Sequence, residues 1–237
     1  MMESSRLISD SWGLFLLWWW VSYTLGSFLW GPIVVWWFKR KHGEKVSIFY
    51  LFRCGSHSPG GTNVGRVAGV GGKGKALTIL LDATKGAMVV AGALAFHFPL
   101  WAVALSGFLA MIGHAFPFFY LLMGHRGGKA VATSLGVFLV IAPKITLVAL
   151  LCYVLIALYG KKFRSMPLAR FCRMSSVRSL TACLIIASLA VIFDGGYEIK
   201  ILGFSSLIFI TFLHLENIAR IRAGTEPEEQ KEINDAN

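Results

Sequence analysis

Long apolar runs alternate with short polar, glycine-rich and basic stretches along this 237-residue chain. A membrane-spanning helix needs roughly 20 apolar residues, fewer if it is buried in a bundle. By that measure the runs predict seven segments, at about 12–38, 76–97, 99–121, 130–143, 144–160, 179–193 and 200–216. The fourth and fifth form one continuous apolar block. Pro143 and Lys144 break it into a short helix, a turn and a second helix, because proline lacks the N–H an interior turn requires. The expected architecture is an all-α integral membrane protein, a seven-helix bundle formed by one domain over residues 1–223. An acidic, disordered tail is expected over 224–237.

Composition supports this class. Charged residues make up 15% of the chain, hydrophobic ones 56%, and mean hydropathy is +0.65, whereas a soluble domain carries about a quarter charged residues. The first apolar run is too long for a cleavable signal and shows no cleavage site. The net charge of +11 would suggest nucleic acid on a soluble protein. Here the basic residues sit between the apolar runs, where topology explains them and no nucleic-acid partner is expected. Eighteen Lys and Arg fall in the loops 39–75, 124–129 and 161–178 and just after the last segment, against three (Arg6, Lys144, Lys200) on the opposite side. The positive-inside rule then places the N-terminus outside and the C-terminus in the cytoplasm. Every glycine-rich polar loop falls on the cytoplasmic face, so the expected location is a membrane, with the site on its cytoplasmic side.

Chemistry is concentrated in those loops. The stretch "GVGGKGKA" at 69–76 imitates a phosphate-binding loop. It lacks the hydroxyl residue after lysine (Ala76 stands there) and the preceding strand, so it does not predict a nucleotide site. The first loop, "CGSHSPGGTN" at 54–63, is better suited to an anion. Successive N–H groups in a glycine-rich turn form a concave nest, Ser56, Thr62 and Asn63 add donors, and Arg66 adds a bidentate cation. The alternative is a solvated linker. In the second loop Arg126, Gly127, Gly128 and Lys129 precede a helix, a place favourable to anions as well as to positive-inside anchoring. His214 and Asn217, three apart, share one face at the end of the last segment, as a site or as a polar cap. Asp82 and Lys85 are also three apart, and their charges near the start of the second segment are costly unless paired or functional. Cys54, Cys152, Cys172 and Cys183 have no CxxC spacing. Metal-protease and nucleophile-elbow motifs are missing, as is an acyltransferase His-x4-Asp pair. No metal and no cofactor is expected, and catalysis would rest on binding and electrostatics.

These loops together resemble the bacterial acyl-phosphate:glycerol-3-phosphate acyltransferases, which are seven-helix integral membrane enzymes. Their first-loop pattern G-S-G-N-x-G-A-T-N-x-x-R is met by Gly55-Ser56-His57-Ser58-Pro59-Gly60-Gly61-Thr62-Asn63-Val64-Gly65-Arg66. L-G-S-x-x-x-G is met at Leu25-Gly26-Ser27…Gly31, L-D-x-x-K-G at Leu81-Asp82…Lys85-Gly86, and G-H-x-x-P-x-F at Gly113-His114…Pro117-Phe118-Phe119. K-G-G-K-G-V-A-T is similar to Arg126-Gly127-Gly128-Lys129-Ala130-Val131-Ala132-Thr133. A serine pair corresponds to Ser176 and Ser179, and H-x-E-N-I-x-R-x-x-x-G-x-E runs in full from His214 to Glu226. The similarity extends over about 22–226. His57 and Ser58 depart from the pattern's glycine and asparagine, Arg126 replaces a lysine, and residues 32–54 are longer than usual.

The resemblance implies transfer of a fatty acyl group from acyl phosphate to the 1-hydroxyl of glycerol 3-phosphate, giving lysophosphatidic acid and phosphate, the first step of phospholipid synthesis. It implies Gly55, Ser56, Ser58, Gly60, Thr62 and Asn63 at the acyl phosphate, and Arg66, Lys129, Ser176, His214 and Asn217 at glycerol 3-phosphate. Ser56, Lys129, His214 and Asn217 would be catalytic. Asp82, Lys85, His114, Arg126, Gly127 and Gly128 would be supporting residues. The partners are the two substrates and membrane lipid, with no obligate protein partner. Either the donor's phosphate or His214 would take the hydroxyl proton. Two other readings stay open: an impaired paralogue that binds phospholipid precursors, and an anion or lipid transporter.

Overall fold

The computed structural model describes residues 2–163, 165–193 and 196–227, with the backbone alone for 2–11. All regular structure among the described residues is helical. The elements are α1 (Met2–Gly26), α2 (Trp30–Lys41), α3 (Tyr50–Arg53), α4 (Gly61–Val64), α5 (Gly71–Ala95), α6 (Leu100–Ala115), α7 (Phe118–Leu122), α8 (Val131–Ile141), α9 (Pro143–Lys162), α10 (Pro167–Arg173), α11 (Ser175–Ile192), α12 (Tyr197–Leu213) and α13 (Leu215–Arg222).

Five spans are long and apolar enough to cross a membrane: Trp12–Lys41, α5, α6 with α7 (Leu100–Leu122), α9 and α11. A sixth is reached if α12 and α13, bent by 58° at His214, count as one. The remaining expected segment is α8, only 11 residues long. It ends where Pro143 begins α9, with Ala142 alone between them; proline is well placed there because a helix's first N–H has no partner anyway. The first expected segment is not one rod. It breaks at Ser27–Leu29, where Lys85 donates from Nζ to the Phe28 carbonyl (2.8 Å).

Small residues let the spans meet closely, as association in lipid requires. A Cβ on Gly86 would lie 2.2 Å from the Thr133 carbonyl oxygen, and one on Gly136 would lie 1.8 Å from that of Ala83. These two contacts lock α5 against α8. α6 is the most enclosed span, with 61% of its apolar window buried, and α9 the least, with 17%. Leu147, Leu151, Val154, Leu155 and Leu158 cover the outer side of α9, a surface suited to lipid. The main core joins Phe15, Val90, Val103, Val137, Phe138 and Ile186. A second core of Val34, Val35, Leu51, Val64, Val67 and Val70 lies beneath the first polar loop and fixes it to α2. Of the tail expected from Gly224, residues 224–227 are described and Glu226 is buried; 228–237 lie outside the described residues.

Candidate active site

The three polar loops converge on one cavity of about 630 Å³. It is lined by Gly55, Ser56, His57, Ser58, Gly60, Thr62, Asn63 and Arg66 from the first loop, by Lys129 from the second, and by Ser176, Ser179, His214 and Asn217 from α11 to α13. Asp82 and His114 also reach its wall. Lys85, Gly127 and Gly128 stand behind the wall, and Arg126 is exposed outside it. Sequence reasoning gave no role to Arg220 or Glu216, which line the same cavity, and did not foresee Glu226 inside it. Beyond the polar end the cavity continues as an apolar arm between α8, α9 and α11, walled by Leu135, Ala149, Leu150, Ala182, Cys183 and Ile186.

The first loop is held by Asn63. Its Oδ1 accepts from the Ser56 N–H (3.0 Å), while Nδ2 donates to the carbonyls of Leu51 (3.3 Å) and Cys54 (3.1 Å). Asn63 is buried, so each end of its amide is spent on loop shape rather than on the phosphate contact expected of it. Gly55 and His57 both have left-handed φ, 60° and 54°. His57 therefore keeps the backbone turn that the family pattern's glycine would adopt freely, and its Nδ1–H donates to the Phe52 carbonyl (2.9 Å). Ala130, at another of the pattern's glycines, has φ 57°. A left-handed φ costs an L-residue roughly 1–2 kcal/mol. His57→Ala keeps that cost and loses the ring's bond, whereas His57→Gly loses only the bond. We expect the glycine variant to be the more stable by about 1 kcal/mol, read from thermal unfolding in detergent. His57→Gly with Ser58→Asn should keep or raise activity; a large loss would show that the loop depends on these two residues.

The second loop presents a cation. Gly127 and Gly128 donate their N–H groups to the carbonyls of Ala115 (3.0 Å) and His114 (3.1 Å), a path that presses the turn against the end of α6. Lys129 follows. Its ammonium makes no hydrogen bond or ion pair among the described residues. Burial lowers its pKa to about 8, helped by the Arg220 charge. Burial also lowers Arg66, with Glu226 opposing.

The third cluster is a closed network. Asn217 donates from Nδ2 to Ser176 Oγ (2.9 Å) and to Glu226 Oε1 (2.7 Å). Ser176 Oγ donates to the same carboxylate oxygen, and Arg220 donates from Nε to Oε2 (2.8 Å). Burial raises Glu226, but these hydrogen bonds outweigh it and hold the carboxyl below its ordinary range. A carboxylate only accepts, so it fixes the Asn217 amide with NH₂ towards Glu226. Asn217 Oδ1 is left buried, with no partner among the described residues. His214 faces the Ile210 carbonyl through Nδ1 (2.8 Å). A carbonyl also only accepts, so Nδ1 carries the proton and Nε2 of the neutral ring keeps its lone pair.

Phosphate-suited turns, an ammonium with no ion pair among the described residues and an apolar arm in one cavity are what the family pattern asks for, and comparison with known proteins agrees. Residues 16–224 match the glycerol-3-phosphate acyltransferase family. The chain belongs to the glycerol-3-phosphate acyltransferase family. It is an acyltransferase. The glycerol-3-phosphate acyltransferase of Listeria monocytogenes serovar 1/2a is 36% identical over 189 residues, which cover 76% of this chain and 84% of the relative. That of Parasynechococcus marenigrum is 35% identical over 175 residues, 73% and 74% of the two chains. The crystal structure of PlsY (YgiH), an integral membrane glycerol 3-phosphate acyltransferase, in its glycerol 3-phosphate form superimposes with TM-score 0.74 at 28% identity, over 90% of this chain and 94% of that one. The lysophosphatidic acid form gives 0.72 at 26% identity over the same shares.

Proposed function

We propose that this protein transfers a fatty acyl group from acyl phosphate to the 1-hydroxyl of glycerol 3-phosphate, releasing lysophosphatidic acid and phosphate, as the first step of phospholipid synthesis. The observation that carries the reading is one cavity whose polar end holds Arg66, Lys129 and Arg220 and which continues as an apolar arm. Both substrates are phosphorylated and one carries a fatty chain, so two anion-binding turns beside a groove of Leu, Ile and Ala are the equipment required. The positive-inside pattern puts this end in the cytoplasm, and α8, short as it is, would complete a seven-span bundle.

In this reading the N–H groups of the Gly55–His57 turn, with Ser56 and Thr62, hold the donor's phosphate, and Asn63 shapes the turn. Lys129, Arg66 and Arg220 hold the acceptor's phosphate. Asn217 Oδ1 accepts from a hydroxyl of the acceptor, oriented by Glu226. The 1-hydroxyl oxygen attacks the acyl carbonyl carbon, the C–O bond to phosphate breaks, and phosphate leaves with the electron pair. The hydroxyl proton passes to the departing phosphate or to His214 Nε2. An acyl phosphate is a mixed anhydride with a good leaving group, so alignment supplies much of the rate, up to roughly 7–11 kcal/mol in favourable cases. Fixed donors and cations stabilise the charge that develops.

The test is purified protein with labelled glycerol 3-phosphate and three donors: acyl phosphate, acyl-CoA and acyl-carrier protein. Labelled lysophosphatidic acid from acyl phosphate alone is the expected result. Product only from a thioester would overturn the donor assignment, and binding without product would point to a precursor-binding paralogue.

The pH dependence follows from Lys129. It is charged below about 8 and loses its proton as pH rises through that value, so kcat/KM for glycerol 3-phosphate should fall above about pH 8. Lys129→Arg stays charged throughout, and its profile should lack that fall.

A further inference from the structure

Ser22, Ser106, Thr146 and Thr181 each donate their hydroxyl to the carbonyl four residues back, the local partner a helix offers such a side chain. Ser179 does not. It stands in the second turn of α11, 8% exposed, and lines the cavity. Its hydroxyl makes no hydrogen bond among the described residues. A buried hydroxyl without a partner costs stability, and no role given above to any residue uses this one.

Its place along the helix says what it would meet. The face that α11 turns to the cavity reads Ser175, Ser176, Ser179, Ala182, Cys183 and Ile186, three hydroxyls followed by apolar groups. Ser176 belongs to the polar end, where its Oγ meets Asn217 and Glu226. Ser179 lies three residues further on, about 4.5 Å deeper along the axis, and is the last hydroxyl on this face before the apolar arm. An acyl phosphate carries its groups in the same order: phosphate, carbonyl, chain. With the phosphate at the polar end and the chain in the arm, the carbonyl falls at the boundary that Ser179 marks.

We infer that Ser179 donates its hydroxyl to the carbonyl oxygen of the donor's acyl group. The bond strengthens as that oxygen gains negative charge during attack by the acceptor's hydroxyl. No bond is made or broken at Ser179 itself. A serine nucleophile needs an adjacent base within hydrogen-bond reach, and Ser179 has none among the described residues, so its task is donation. The inference rests on the acyl-transfer reading for the identity of the carbonyl, but not for the free buried hydroxyl at the polar–apolar boundary.

Two replacements separate donation from support. Ser179→Ala removes the hydroxyl and Ser179→Thr keeps one. We expect Ser179→Ala to lower kcat about 100-fold, as deleting one such donor does, with KM for each substrate within about twofold of wild type because the bond matters chiefly in the transition state. Its thermal midpoint should not fall, since the lost hydroxyl had no partner. Ser179→Thr should stay within about fivefold of wild type, on the same basis. Wild-type kcat in Ser179→Ala, or a loss confined to KM, would overturn the inference. Independently of turnover, the probe is a β-ketophosphonate analogue of the donor, with CH₂ in place of the bridging oxygen and ¹³C at the carbonyl. Its infrared carbonyl band should lie at lower frequency when bound to wild type than when bound to Ser179→Ala, and equal bands would sink the assignment. If that difference is seen while wild type transfers no acyl group from any donor, the acyl-transfer reading fails and the carbonyl contact stands. If wild type transfers the acyl group but neither kcat nor the band responds to Ser179→Ala, the reading stands and this inference fails.

Discussion

Lys129→Met is expected to reduce kcat/KM for glycerol 3-phosphate by about 10²–10³-fold, the range for removing one preorganised charge-stabilising group, while leaving the thermal midpoint unchanged or raised. The two halves have one cause. The ammonium is largely buried and has no hydrogen bond or ion pair among the described residues, so the charges of Glu226 and Glu216 offset its desolvation only in part until a phosphate arrives. Methionine has a similar length and no charge, so it relieves that cost and fills the space. Stability and activity therefore move in opposite directions, as they do where a site is held in a costly state for function. Kinetics and thermal unfolding of the same purified variant check both. Turnover close to wild type would remove Lys129 from the site, and a variant that fails to fold would show that the ammonium is structural.

The second large effect concerns stability. Lys85 and Asp82 are 5% and 2% exposed, and each is the other's counter-charge at 3.0 Å. Removing one partner of a buried pair strands the other, at roughly 3–5 kcal/mol. Lys85→Met should cost that much, seen as a large fall in thermal midpoint. It should also loosen the break after Ser27, because Phe28 loses its donor. The double variant Asp82→Asn/Lys85→Met leaves no stranded charge and should recover most of the loss. If the single and double variants are equally destabilised, the ion pair is not what holds this region.

How far the chain could be read before its structure was known follows from what each feature depends on. Apolar runs had to become helices, since a backbone in lipid must satisfy its own hydrogen bonds, and the Pro143 break needed only proline's missing N–H. The break at Ser27–Leu29 was hidden, because it lies in a run apolar from end to end and is set by a lysine 57 residues away. The short α3, α4 and α10 were hidden too; helices of four to seven residues are not stable alone and form where tertiary contacts hold them. Site residues were legible as polar types in oily surroundings, but their jobs were not. Asn63 reads as a ligand and behaves as a loop pin. Glu226 reads as the start of a solvated acidic tail, yet it is buried among Ser176, Asn217 and Arg220.

The 11 residues of α8 have a consequence for traffic. At 1.5 Å per residue they rise about 16 Å, roughly half the hydrocarbon thickness. Lys129 heads this stub and the apolar arm flanks it, so on the acyl-transfer reading a stub that starts below the headgroup plane would bring the two reactants together inside the leaflet. A fatty donor could then slide in sideways without surfacing into water. The new lysolipid would be born at its resting depth, leaving only inorganic phosphate to climb back out.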